Sequence, residues 1–136
     1  MHTESFTLTS KDGTRLYAYR QDPEGTPVAD ILILHGYGEH LGRYHELMQW
    51  FAEKGYRCWA VDFRGHGRSA GRRAYVENYD LYLDDGAALL EAVKEAGVSE
   101  TLFLLGHSQG GLIGLRMLEE GIGTYKAAVL SAPAMD

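Results

Sequence analysis

Ser108 stands between Gly106 and Gly110 in the run Leu-Leu-Gly-His-Ser-Gln-Gly-Gly at residues 104–111. The Gly-x-Ser-x-Gly spacing is that of a nucleophile elbow. A chain that leaves a buried strand and enters a helix at once must turn sharply. The apex residue is then held at strained backbone angles, and side chains on either flank would collide across the turn, which calls for glycine at both. A serine placed there stands clear of the sheet, with a helix N-terminus behind it that favours developing negative charge. The chemistry this arrangement offers is acyl transfer through the serine hydroxyl. His107 is adjacent in sequence, but neighbours at such an elbow point apart. Packing or hydrogen bonding suits it better than the role of general base.

Acyl transfer needs two donors aimed at the oxyanion. One is expected from the residue after the nucleophile, the Gln109 N–H, and the other from the loop after the third strand. That loop is His-Gly-Tyr-Gly-Glu-His at 35–40, where Gly36 and Gly38 let the backbone approach a substrate and Tyr37 is the candidate donor. The plainer reading is that these glycines only make a tight turn. A third glycine-rich stretch, Asp-Phe-Arg-Gly-His-Gly-Arg-Ser-Ala-Gly at 62–71, imitates a dinucleotide fingerprint. That fingerprint needs a helix starting in the loop and an acid at the end of the next strand. Here a polar stretch follows, and Asp84 and Asp85 fall inside a helix. No cofactor is expected, and His66 is read as a turn former.

The elements that must position these groups follow from periodicity. Alternating runs at 5–9 and 15–20 flank a glycine-containing turn and predict a hairpin. Continuous apolar runs at 29–36, 56–63, 101–106 and 127–132 predict strands buried on both faces. Between them lie helical patterns: 43–54 with Tyr44, Leu47, Met48 and Phe51, 79–96 with Leu83, Ala87 and Leu90, and 109–120 with Leu112, Leu115 and Leu118. Gly55 and Gly97 are placed to stop two of these helices, and Asn78 to cap one. The alternation predicts an α/β fold: a mostly parallel sheet, helices on both faces, right-handed crossovers.

The 136 residues fit one domain. A net charge of −6 argues against nucleic-acid binding. Arg64, Arg68, Arg72 and Arg73 cluster locally and are read as a solvated loop. Cys58 is the only cysteine, which excludes an intramolecular disulfide and a cysteine-based zinc site; no metal is expected. The lone cysteine fits a reducing compartment. The N-terminus lacks the basic start and apolar core of a signal peptide, so a cytoplasmic location is expected. No apolar run approaches the roughly 20 residues that span a bilayer.

Three segments in this order, His-Gly-Tyr-Gly-Glu-His-Leu-Gly-Arg-Tyr (35–44), Val-Asp-Phe-Arg-Gly-His-Gly-Arg-Ser (61–69) and the elbow, resemble the monoacylglycerol lipase and lysophospholipase branch of the α/β-hydrolase family. The likeness covers nearly the whole chain. It implies a Ser–Asp–His hydrolase acting on esters of single acyl chains, with a lipid or small ester as substrate and transient contact with a membrane surface. It implies Ser108 as nucleophile, Tyr37 and Gln109 as oxyanion donors, and structural support of the first loop by Glu39, His40, Arg43 and Tyr44. Gln109 stands where Met is common in this branch, which leaves its backbone role intact.

In this fold the triad runs serine, acid, histidine along the chain. After Ser108 the sequence holds no histidine, and its only aspartate is Asp136. The chain is therefore read as the N-terminal part of a single α/β-hydrolase domain, truncated after the sixth strand, with the cap and the C-terminal part elsewhere. The strand at 127–131 would then offer an open apolar edge, expected to pair with a C-terminal fragment of the same enzyme or a second copy. Two classes of function stay open. One is a serine ester hydrolase whose other half is supplied separately. The other is a catalytically silent folding or assembly module. Peptidase, thioesterase or perhydrolase chemistry on the same fold also stays open.

Overall fold

A computed structural model describes residues 2–97 and 101–131. The strands are β1 (His2–Thr9), β2 (Arg15–Asp22), β3 (Ala29–Leu34), β4 (Tyr56–Val61), β5 (Leu102–His107) and β6 (Ala127–Ser131). The helices are α1 (His45–Glu53), α2 (Asp80–Glu95) and α3 (Gln109–Glu119), and a 3₁₀ turn at Leu41–Tyr44 leads into α1. The sheet runs β1-β2-β4-β3-β5-β6. β1 and β2 form the predicted hairpin, and β2 joins β4 antiparallel. β4, β3, β5 and β6 are parallel, as predicted; β3 is buried on both faces, whereas β6, read as buried on both, has no buried residue because it lies at the edge.

Because strand side chains alternate, β3 divides its residues between two cores. Leu32 and Leu34 face α2 and α3, packing with Trp59, Tyr82, Leu89, Ile113 and Met117. Ile31 and Ile33 face the other way, with Leu41, Met48 and Ala60. Cys58 lies fully buried in this second core, where burial pushes its thiol up to about 12. Gly55 (φ 97°) and Gly97 (φ 81°) follow α1 and α2 in the left-handed conformation of a helix stop. Asn78 Oδ1 accepts the Asp80 N–H at 2.9 Å at the start of α2, one residue before the N-cap position, which Tyr79 holds.

Two sequence readings need correction. The α3 face that meets the sheet is not the leucine line. Gly110, Gly111, Ile113, Gly114 and Met117 are buried, whereas Leu112 and Leu115 are half-buried and Leu118 is 38% exposed. The helix lies too near the sheet for side chains: a Cβ on Gly110 would overlap the Leu34 carbonyl, and one on Gly114 would come within 3.1 Å of Leu130 Cδ2. Arg64 is not part of a solvated loop. It is buried, with its guanidinium 2.8 Å from Asp85 and 2.7 Å from Asp12.

β6 lies at one edge of the sheet, paired with β5 among the described residues. Val129 on it is 62% exposed. Beside it runs an apolar groove of about 490 Å³ lined by Trp50, Phe51, Tyr56, Phe103, Leu105 and Val129. No helix among the described residues is long and apolar enough to cross a membrane.

Candidate active site

β5 ends at His107 and α3 begins at Gln109, so one residue makes the whole turn. Ser108 takes φ 56° and ψ −118°, a conformation that costs a non-glycine residue on the order of 1–3 kcal/mol. It sits at the helix N-cap without a side-chain capping bond. Its N–H donates to the Ser131 carbonyl at 2.8 Å, so the end of β6 holds the apex. The flanking glycines have different reasons. A Cβ on Gly106 would overlap the Gly110 carbonyl across the turn, whereas one on Gly110 would strike the end of β3. The turn and the close approach of α3 to β3 are thus separate demands, each met by glycine.

The loop after β3 lies directly against this apex. A Cβ on Gly36 would come within 3.2 Å of Ser108 Cβ and 3.3 Å of the His107 carbonyl. Residues 36–39 form a β-turn closed by Glu39 N–H to Gly36 O at 3.1 Å, with Gly38 at φ 74° in its third position. That is the sign of φ a type II turn demands there. The Gly36 N–H donates to Glu39 Oε1 at 2.8 Å, and the Tyr44 hydroxyl donates to the same oxygen at 2.9 Å. Arg43 lies 3.9 Å from the other carboxylate oxygen. Burial pushes the Glu39 carboxyl up, but these two hydrogen bonds, with His107 and Arg43 nearby, outweigh it and leave it below its ordinary value. Burial and the same hydrogen bond push the Tyr44 hydroxyl up. The His40 ring accepts the Gly42 N–H at 3.1 Å and caps the 3₁₀ turn.

Among the described residues the Tyr37 N–H has no acceptor. The Gln109 N–H is the first of α3, one of the amides a helix leaves without an internal partner. The Tyr37 side chain is 58% exposed and reaches sideways, its hydroxyl donating to the Ala74 carbonyl at 2.9 Å. Its ring meets the buried His66 ring edge-on at 5.6 Å.

Three further buried groups support the site, and composition alone did not single them out. His35, at the end of an apolar run, donates from Nδ1 to Gly36 O at 2.8 Å and accepts the Phe63 N–H on Nε2 at 3.0 Å. Burial pulls its pKa down to about 4, so it is neutral near pH 7. Asp62 accepts the Leu41 N–H at 2.7 Å and the Arg68 N–H at 2.9 Å, and a Cβ on Gly67 would overlap its carboxylate. Asp85 accepts the Arg64 N–H at 3.0 Å besides its guanidinium. The loop at 62–71 is a scaffold. It continues as turns until α2 begins at Asp80, so no helix N-terminus stands behind Gly65 and Gly67. His66 serves there as read, its N–H donating to Phe63 O and its carbonyl accepting the Ser69 N–H.

The serine aminopeptidase, S33 family matches residues 25–136. A monoacylglycerol lipase of Mycolicibacterium smegmatis is 35% identical over 91% of this chain and 44% of its own length. The human monoglyceride lipase is 35% identical over 93% of this chain and 42% of its own. The chain thus spans less than half the length of these relatives. A thermostable carboxyl esterase of Bacillus coagulans superposes with a TM-score of 0.83 at 25% identity, over 94% of this chain and 43% of that one. An alpha/beta hydrolase of Penicillium sp. sh18 superposes over the whole chain and 47% of its own, with a TM-score of 0.86 at 20% identity, which speaks to the fold alone. With a six-stranded, mostly parallel sheet and lipases and esterases among its relatives, the chain belongs to the serine aminopeptidase, S33 family of α/β hydrolases.

Proposed function

We propose that the chain carries the nucleophile and the oxyanion hole of a serine hydrolase that cleaves carboxylic esters of single acyl chains, of the monoacylglycerol or lysophospholipid type. The observation that carries this reading is Ser108 at φ 56° between β5 and α3, with Gly36 packed against its Cβ. In the reaction, Ser108 Oγ gives its proton to a base and attacks the ester carbonyl carbon. The Tyr37 and Gln109 N–H groups hold the resulting oxyanion. The alcohol leaves with a proton, and water releases the acid from the acyl-enzyme.

The base and its acid come from polypeptide outside residues 1–136, since no histidine follows Ser108. That polypeptide pairs along β6 at 127–131 and covers the groove beside Trp50 and Val129. The relatives' names favour esters over amides.

The test uses a fluorophosphonate probe and a monoacylglycerol assay, on this chain alone and on the complete polypeptide that contains it. Labelling at Ser108 and turnover are expected in the complete polypeptide and not in the isolated chain, because an unactivated serine does not react usefully. A complete polypeptide that neither labels nor hydrolyses would establish the assembly-module reading instead.

A further inference from the structure

We propose that Glu39 is a positioning residue of this site: by taking up the Gly36 N–H it makes the Tyr37 N–H the amide that faces the oxyanion. The inference rests on the reading of Ser108 as nucleophile. Two consecutive amides, Gly36 and Tyr37, belong to the loop that touches Ser108 at Gly36. Only one can face the oxyanion while its neighbour turns away. The Glu39 carboxylate decides between them. Its Oε1 is 2.8 Å from Gly36 N and shares with Ser108 the space where a side chain at residue 36 would stand: a Cβ built on Gly36 would meet Glu39 Oε1 at 2.9 Å and Ser108 Cβ at 3.2 Å. The carboxylate thus clamps the Gly36 N–H, and carboxylate and apex together leave no room for a side chain at residue 36.

Three features hold the clamp. The Glu39 N–H closes the turn onto Gly36 O. The Tyr44 hydroxyl fixes Oε1 from the 3₁₀ turn. The Gly36 carbonyl also accepts the His35 Nδ1 proton, so both faces of that peptide unit are tied. A carboxylate this near a developing oxyanion would oppose it in a low-dielectric site. Here its charge is drawn sideways by the Tyr44 hydroxyl and Arg43. What the site needs from residue 39 is an acceptor oxygen rather than a negative charge, and glutamine can supply one.

The experiment compares Glu39→Ala, Glu39→Asp and Glu39→Gln in the complete polypeptide, with active serines counted by fluorophosphonate titration so that turnover is expressed per competent site. Deleting an oxyanion donor lowers kcat by about 10²–10³. Letting Tyr37 drift should cost less, about 10- to 100-fold in kcat per titrated serine, with KM within about threefold of the parent. The inhibition constant of a trifluoromethyl ketone, which forms a tetrahedral adduct on the serine, should weaken by the same factor as kcat/KM falls. Glu39→Gln should retain kcat within about threefold. If Glu39→Ala fails to fold, Glu39→Asp carries the test, since a carboxylate one methylene shorter keeps the charge and withdraws from Gly36.

Turnover per serine within twofold of the parent in Glu39→Ala, or in Glu39→Asp where that variant stands in, overturns the proposal. So does a Glu39→Gln variant as impaired as Glu39→Ala. Ser108→Ala reads the underlying assignment separately. If that variant still hydrolyses ester, the nucleophile reading fails whatever Glu39 does.

Discussion

The loops after β3 and β4 are built alike, each with a Gly-x-Gly pair, a histidine and charged neighbours, yet they dispose of their polar groups in opposite ways. After β4, Asp62 accepts two backbone amides, and the Ser69 hydroxyl donates to the Asp62 carbonyl while accepting the Tyr17 N–H. Arg64 is saturated by Asp85, Asp12 and Ser10, and Arg73 donates to the carbonyls of Gly67, Ser69 and Gly71. After β3, the turn satisfies Gly36 and Glu39, and the Tyr37 N–H has no acceptor among the described residues. A glycine-rich loop whose charged side chains are all tied inward is scaffold, and one that packs against a strained serine with an amide left over is a candidate site.

The largest effect is expected in the scaffold loop. Arg64→Ala leaves Asp85 buried without its ion pair, since Asp85 is fully buried. Removing one partner of such a pair costs about 3–5 kcal/mol. Urea unfolding of the complete polypeptide should show a lower midpoint with little change in slope. A loss under about 1 kcal/mol would mean that water reaches Asp85, and that this loop is less closed than its hydrogen bonds indicate.

The next is a pH effect at the residue that ties the loops together. His35 bonds Gly36 O on one side and the Phe63 N–H on the other. Its folded pKa of about 4 lies below the ordinary 6.5, with burial the main cause. The unfolded chain therefore takes up the proton first. The contribution is full above pH 6.5, falls as pH drops towards 4, and amounts to about 3 kcal/mol over that window. His35→Gln should show a shallower loss of stability between pH 7 and 4.5 than the parent, with the carboxylates common to both cancelling. Equal slopes would mean that His35 titrates without unfolding anything.

The third outcome concerns the site loop. Tyr37→Pro removes the candidate donor at the second position of a type II turn, where proline is favoured. It should lower kcat about 100-fold or more, whereas Tyr37→Phe, which loses only the exposed bond to Ala74, should stay within about twofold. Similar losses in both variants would move the role from the amide to the side chain.

These outcomes also mark how far residue types alone carry the argument. The strain at Ser108 was legible, because glycines at 106 and 110 between an apolar run and a helical one have few other uses. So was the element order, since buried strands and amphipathic helices differ in period. The seating of α3 was not: hydrophobic periodicity points to Leu112, Leu115 and Leu118, whereas the contact is made through Gly110, Gly111 and Gly114, which carry no hydrophobic signal. Nor was the fate of Arg64, whose partners lie 21 and 52 residues away. In the site loop, sequence suggested a turn at Gly36–Gly38. Which amide stays free depends on a carboxylate folding back onto the turn, and spacing does not encode that direction.

The smallest effect tests whether the site loop is as open as it looks. Gly38 and Gly67 hold matching places in their Gly-x-Gly pairs and both have positive φ, 74° and 51°. A Cβ on Gly38 meets nothing within 4 Å, whereas one on Gly67 overlaps the Asp62 carboxylate. Gly38→Ala should therefore cost only the backbone strain of the left-handed region, about 1–2 kcal/mol. Gly67→Ala should cost clearly more, since it adds displacement of a carboxylate that holds two amides. Asparagine tolerates left-handed angles better than alanine, so Gly38→Asn should be milder than Gly38→Ala. At position 67 the larger side chain brings no such relief, and Gly67→Asn should be at least as harmful as Gly67→Ala. Unfolding free energies of the four variants settle the matter. Equal costs at 38 and 67, or no gain from asparagine at 38, would show that something packs over the turn beside Tyr37 and that the amide there is less accessible than the contrast between the loops requires.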